Sequence, residues 1–426
     1  MTKKEDFEKI VLDNGLRVIL APLSSVMSAT AIVLCGAGSR YETKRTNGIS
    51  HFLEHMFFKG TNKRPTATEI SHELDAIGAD YNAFTGKEAT GYHIKSASKH
   101  LPLALDMLSD MLWNSKFDPR EVEKERGVII EELNMYEDTP MRKVAEVYEE
   151  LLWQNQPLGW EIGGRKENIR LIKHGDFLSL INARYAPNNM VVAVAGNFDK
   201  AQVLGLIKEY FAKQKAHKVA GFLPAVEKQA KPALKIAYKK TDQAHLVLGF
   251  RGLKLVHPDR YAASVLATIL GGGMSSRLFI NVREKRGLGY YVRSDSESYL
   301  DCGTFAASAG VDLKRIDEAI EVILAEFGQI TKDEVGEREL KKAKEYIKGK
   351  VILSWEDSRT VAFAYGSDEL MEGRVRSLKD YLKLIDAVRA EEILRVAKKL
   401  FVQTQLNLAV IGPFKDEARF AKILKL

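Results

Sequence analysis

The chain repeats itself. VAVAGNF at 192–198 returns as LAVIGPF at 408–414. Each is an apolar run that ends in a glycine turn ahead of an amphipathic stretch, AQVLGLIKEYF in the first copy and EARFAKILKL in the second. AIVL at 31–34 returns as HLVL at 245–248, at almost the same offset. The succession of strand, turn and helix in TGYHIKSASKHLPLALDML (90–108) recurs in GTFAASAGVDLKRIDEAIEVIL (303–324), and long charged helices open near Asp118 and Asp333. Four matches in one order, at a nearly constant offset, are hard to attribute to composition. Self-similarity at a fixed period marks a repeated folding unit.

An α+β fold of two homologous domains follows, each an antiparallel-rich sheet packed with helices. The expected boundaries are 1–213 and 233–426, joined by a linker at 214–232 that is rich in Lys, Gly and Pro and lacks periodicity. A chain of 426 residues is also too long for one ordinary core. Near the start, KIVLDNGLRVIL reads as a hairpin turned by Asn14-Gly15.

Composition excludes several function classes. No apolar run approaches the roughly 18 residues needed to span a bilayer, and the N-terminus has no apolar signal core. The two cysteines, Cys35 and Cys302, are far apart and form no framework, which fits a reducing, cytoplasmic setting. The net charge of +7 invites a nucleic-acid reading. However, the lysines alternate with glutamates on helix faces, as in REVEKERG, and no nucleic-acid motif appears.

The chemistry concentrates in HFLEHMFFKG at 51–60. Ile49, Phe52, Leu53, Met56 and Phe57 recur at helical spacing, and Thr46-Asn47-Gly48 offers N-cap candidates. On a helix, His51 and His55 lie one turn apart, so both imidazoles can reach one metal ion, with Glu54 close enough to touch a water on it. Catalytic zinc takes nitrogen and carboxylate ligands and keeps one position open for water. The repeat supplies a control: carried into the second copy, the same places fall at Ala263, Leu266 and Ala267, set against His51, Glu54 and His55. A helix at this place is stable with apolar residues alone, so folding does not need the polar triplet.

A third protein ligand is required. The helix expected over 118–138, DPREVEKERGVIIEELNMYED, carries Val122, Glu125, Ile129, Glu132 and Tyr136 on one face. Two glutamates interrupting an apolar stripe are costly to bury unless paired or metal-bound. Glu132 is taken as the ligand and Glu125 as a carboxylate that orients the ligands or water. Glu131 falls on a different, solvent-facing line. GADYNAFTGKEATGYHIKS at 78–96 reads as two strands with a turn near Gly86, and an edge strand there could accept an extended peptide.

HFLEH, followed well downstream by the glutamate Glu132 in ERGVIIEE, resembles the pitrilysin and mitochondrial-processing-peptidase family of zinc peptidases. LDNGLRVI near the start, NAFTGKEATGY at 82–92 and the doubled domain extend the likeness over most of the chain. The resemblance implies one Zn2+ per chain on His51, His55 and Glu132, with Glu54 as general base and Glu125 supporting the site. It implies that Asn82 and Ala83 hold substrate. It also implies that Arg283 and Tyr290, seven apart in VREKRGLGY, close the site from the second domain, with Arg277, Arg286 and Tyr291 peripheral. Two domains are half of the family's clamshell. The implied protein is a zinc endopeptidase that hydrolyses short or unfolded peptides inside a homodimeric chamber. A heterodimer remains open, and the alternative is a non-catalytic or partner-dependent subunit of a heteromeric processing peptidase.

Overall fold

A computed structural model describes residues 6–426. Six strands, β1 (Glu8–Val11), β2 (Arg17–Pro22), β3 (Ser28–Cys35), β4 (Asp80–Thr85), β5 (Thr90–Ala97) and β6 (Met190–Gly196), form one sheet in the order β1-β2-β6-β3-β5-β4. Five more, β7 (Ala233–Tyr238), β8 (Gln243–Arg251), β9 (Gly289–Ser298), β10 (Gly303–Asp312) and β11 (Asn407–Gly412), form a second in the order β7-β11-β8-β10-β9. With β1 set aside the two orders are the same. In each sheet one pair is parallel, β2 with β6 and β7 with β11, and the other pairs are antiparallel. The sequence repeat is thus a repeat of topology. β1 and β2 form the hairpin, and Gly15 takes the left-handed conformation (φ +79°) that its turn requires.

β6 and β11 are buried along their whole length. Strands covered on both faces read as continuous apolar runs, which is why VAVAG and LAVIG stand out in the sequence. In the first sheet, helix Leu101–Asn114 packs on β3 and β5, and helix Ser358–Glu372 packs on β2, β3, β5 and β6. In the second, helix Ile316–Gln329 packs on β8 and β10, and helix Pro140–Leu152 packs on β7, β8 and β11.

Two of these helices come from the opposite half of the sequence. One compact unit holds residues up to Leu133 together with Glu161–Leu223 and Ile352–Leu378; the other holds Asn134–Trp160, Pro224–Val351 and Lys379–Leu426. Val361, Ala362 and Tyr365 join a core of Ile32, Leu34, Val191 and Ala193. Val144, Val147 and Tyr148 likewise join Val247, Ala409 and Ile411. At roughly 1.5–3 kcal/mol per large buried side chain, these contacts bind each exchanged helix into its unit. No described helix is long and apolar enough to cross a membrane.

Candidate metal centre

The histidines stand on helix Ile49–Met56, only eight residues long. So short a helix depends on its packing. Ile49, Phe52, Leu53 and Met56 are buried, and Phe52 meets Phe177 edge-on with ring centres 5.0 Å apart. The helix starts at the end of the expected Thr46-Asn47-Gly48 run. Gly48 is the N-cap and has no side chain to offer, while the Thr46 hydroxyl bonds Thr43 instead. The capping acceptor is the buried Glu42 carboxylate, which takes the backbone N–H groups of Gly48 and Ser50 at 2.8 Å each and the Asn47 amide at 3.0 Å. A carboxylate suits this end because the first-turn N–H groups lack partners within the helix. Gly48 has φ +97°, and a Cβ there would lie 2.6 Å from the Gly163 carbonyl oxygen. The missing side chain lets the 161–164 loop close against the start of the helix.

Glu132 reaches the histidines from helix Pro119–Glu137, whose Val122, Glu125, Ile129 and Leu133 are buried while Glu131 is exposed. Nε2 of His51 and Nε2 of His55 lie 3.2 Å apart. Glu132 Oε2 is 3.5 Å from the first and 3.4 Å from the second. Zinc bonds of about 2.0–2.2 Å in a tetrahedron put ligand atoms about 3.3–3.6 Å apart. The three atoms therefore form one face of a zinc-sized tetrahedron. A cation is also the chemistry that three electron-pair donors facing one another call for. Among the described residues, these are the His, Cys, Asp and Glu side chains close enough together that they could hold one metal ion.

Behind His55, the buried Glu125 carboxylate sits 2.9 Å from Nδ1, and Lys59 lies 2.6 Å from its other oxygen. Burial raises the Glu125 carboxyl, but the His55 and Lys59 hydrogen bonds outweigh it and hold Glu125 below the usual range. Burial disfavours the charged form of His55, yet Glu125 and Glu132 overcome that and push the imidazole up to about 9. A proton on Nδ1, directed at Glu125, leaves Nε2 to a metal. Lys59 did not stand out in the sequence. HFLEHMFFKG contains it, but one lysine near a helix end is ordinarily a solvated charge.

Glu54 projects beside the ligands. Burial raises its carboxyl, opposed by a hydrogen bond from Thr85 and the charge of His55 and assisted by Glu132. Thr85 Oγ1 donates to Glu54 Oε2 at 2.5 Å. Thr85 also escaped the sequence reading, although it ends the NAFT run. β4 carries it and lies at the edge of its sheet. Strand alternation sends Tyr81, Ala83 and Thr85 to the side of the histidine helix, where Tyr81 stacks on Phe58. Asp80, Asn82 and Phe84 point the other way: Phe84 meets Phe363, and Asp80 pairs with Arg359. The Asn82 side chain is therefore not aimed at the ligands; its Oδ1 accepts the Ala83 N–H at 2.8 Å.

Arg283 and Tyr290 belong to the other unit. Arg283 lies on a one-turn π-helix, Phe279–Glu284, and its Nη1 donates to the Tyr290 carbonyl at 2.7 Å. Its guanidinium lies 5.1 Å from the centre of the Tyr290 ring, which is 73% exposed. The neighbouring residues are engaged elsewhere: Arg277 pairs with Glu339, Arg286 bonds the Asn281 carbonyl and Tyr291 bonds His245. The control position of the repeat is apolar, with Ala263, Leu266 and Ala267 buried in helix Arg260–Gly271.

Comparison with known proteins returns one family along the chain. A family model described as insulinase (peptidase family M16) matches residues 17–166, and one described as the peptidase M16 inactive domain matches 172–347. The chain is 37% identical over 407 residues to the Bacillus subtilis protein named uncharacterized zinc protease YmxG, covering 95% of this chain and 98% of that one. It is 35% identical to a Streptomyces coelicolor protein also named a zinc protease, covering 96% of this chain and 90% of that one. Among solved structures, a protease from Helicobacter pylori superposes with a TM-score of 0.89 at 25% identity, covering 96% and 99% of the two chains. A chain from complex III2 of Candida albicans shares the fold, with a TM-score of 0.84 at 19% identity over 98% and 100% of the two chains.

Proposed function

This chain belongs to the M16 insulinase family of peptidases, and from that premise we propose that it is a zinc-dependent endopeptidase acting on short or unfolded peptides. The observation that carries the proposal is the triangle of His51 Nε2, His55 Nε2 and Glu132 Oε2, with edges of 3.2, 3.4 and 3.5 Å and with Glu54 beside it. His51, His55 and Glu132 would hold the ion, which when bound supplies Lewis acidity to acidify a water and polarise a peptide carbonyl. Glu54 accepts the proton of the attacking water on its carboxylate and returns it to the leaving amine. Glu125 keeps the His55 ring oriented. The unpaired edge of β4 offers backbone groups on which an extended peptide can add as a further strand, and Ala83 is small enough for close approach.

Two such chains would form a chamber, with Arg283 and Tyr290 of one copy stabilising the oxyanion at the metal site of the other. A chamber selects substrates by size and extension more than by side chain. The name of the second family model, an inactive domain, keeps a second reading in view: a subunit that needs a different partner chain for activity. Hydrolysis of internally quenched peptides by the purified chain, lost on chelation and restored by zinc, supports the first reading. Activity that appears only with a second protein supports the other.

A further inference from the structure

A general base on a glutamate side chain has three free torsions and must be held if the proton is to meet it. On the peptidase reading above, the holding group comes from an unexpected place. Thr85 is the last residue of β4, and its hydroxyl donates to Oε2 of Glu54 at 2.5 Å. The same hydroxyl is 3.5 Å from the Ser50 carbonyl, one turn earlier on the helix of Glu54, so the shorter bond takes its single proton. Among the described residues no hydrogen bond engages Oε1 of Glu54, which leaves that oxygen for a water proton. β4 is also the edge strand to which a peptide would be added. The strand that receives the peptide and the strut that fixes the base are therefore one element.

We propose that Thr85 is a positioning residue: it anchors one oxygen of Glu54 to the peptide-docking strand and so sets the other toward the reacting water. A structural role alone predicts something different. If Thr85 only satisfies a buried carboxylate, its loss costs stability and zinc together and spares no kinetic parameter in particular.

The test compares Thr85→Val, which keeps shape and removes the donor, with Thr85→Ser, which keeps the donor. Each full chain is loaded with zinc and assayed with a quenched peptide that the wild type cleaves. Thr85→Val is expected to lose on the order of 10- to 100-fold in kcat, with KM within about threefold and metal content near one zinc per chain. Thr85→Ser is expected to recover most of kcat. In a Glu54→Gln background, where no turnover is expected, Thr85→Val should leave peptide affinity unchanged. Wild-type kcat in Thr85→Val overturns the inference, as does an equal loss in Val and Ser or a loss that follows zinc content. Absence of hydrolysis by the zinc-loaded wild type sinks the peptidase reading and the inference with it. Hydrolysis by the wild type with an unaffected Thr85→Val sinks the inference alone.

Discussion

Glu125 and His55, far apart in sequence, meet at 2.9 Å, carboxylate oxygen to Nδ1. The contact fixes which imidazole nitrogen faces the metal position. Lys59, on the other oxygen, keeps the buried carboxylate charged without leaving it unpaired.

Glu125→Gln keeps an acceptor for Nδ1 and removes the charge. Zinc affinity should fall roughly 10- to 100-fold, read by competition with a chromogenic chelator. Unchanged affinity would mean that Glu125 serves the fold and not the metal.

Adjacent glutamates should behave oppositely. Glu132 faces the histidines, whereas Glu131 is exposed on the same helix. Glu132→Ala should cost more zinc affinity than the ~100-fold upper range for a supporting residue, while Glu131→Ala should bind zinc normally. Metal analysis of the two variants after dialysis separates them. A zinc-free Glu131→Ala beside a zinc-replete Glu132→Ala would reverse the ligand assignment.

Zinc binding should release a proton. In the metal-free protein His55 is raised to about 9, so at pH 7 its imidazole is charged. A ligand must be neutral, and the incoming ion displaces that proton. Apparent zinc affinity should therefore rise with pH, about tenfold per unit below 9 for one proton, and level off above it. Titration calorimetry at pH 7 in two buffers of different ionisation heat counts the protons. A heat independent of buffer contradicts the picture.

Gly48→Ala should be costly at a distance from the metal. The left-handed backbone costs roughly 1–2 kcal/mol for a residue with a side chain. The new Cβ would also meet the Gly163 carbonyl at 2.6 Å. Chemical denaturation should show a lower midpoint at unchanged slope, with weaker zinc binding because the helix start moves. A midpoint equal to that of the wild type would show that the loop yields freely.

Much of this was legible in the sequence because it is periodic or local. The doubled topology followed from the apolar strands VAVAG and LAVIG, which recur at one offset with their neighbours, since fully covered strands have no choice but to be apolar. The histidine pair followed from one helical turn, and Glu132 from the face it shares with Ile129. The rest depends on tertiary contacts. Nothing in Pro140–Leu152 or Ser358–Glu372 announces which sheet will receive it, because an apolar helix face fits either. Glu42 caps its helix from well before the N-cap, a spacing that no local pattern describes. Asn82 and Thr85 differ only in strand parity, and parity matters once the neighbouring helix is known to lie on one side. Lys59 gains its meaning from Glu125 alone.

In the proposed chemistry His51, His55 and Glu132 hold zinc and Glu54 moves the proton. The most direct measurement is zinc content together with cleavage of a panel of quenched peptides, in wild type and Glu54→Gln. Near-stoichiometric zinc in both proteins and cleavage only by the wild type are expected. Cleavage by Glu54→Gln at wild-type rates, or a wild-type protein that binds no zinc, would rule that chemistry out.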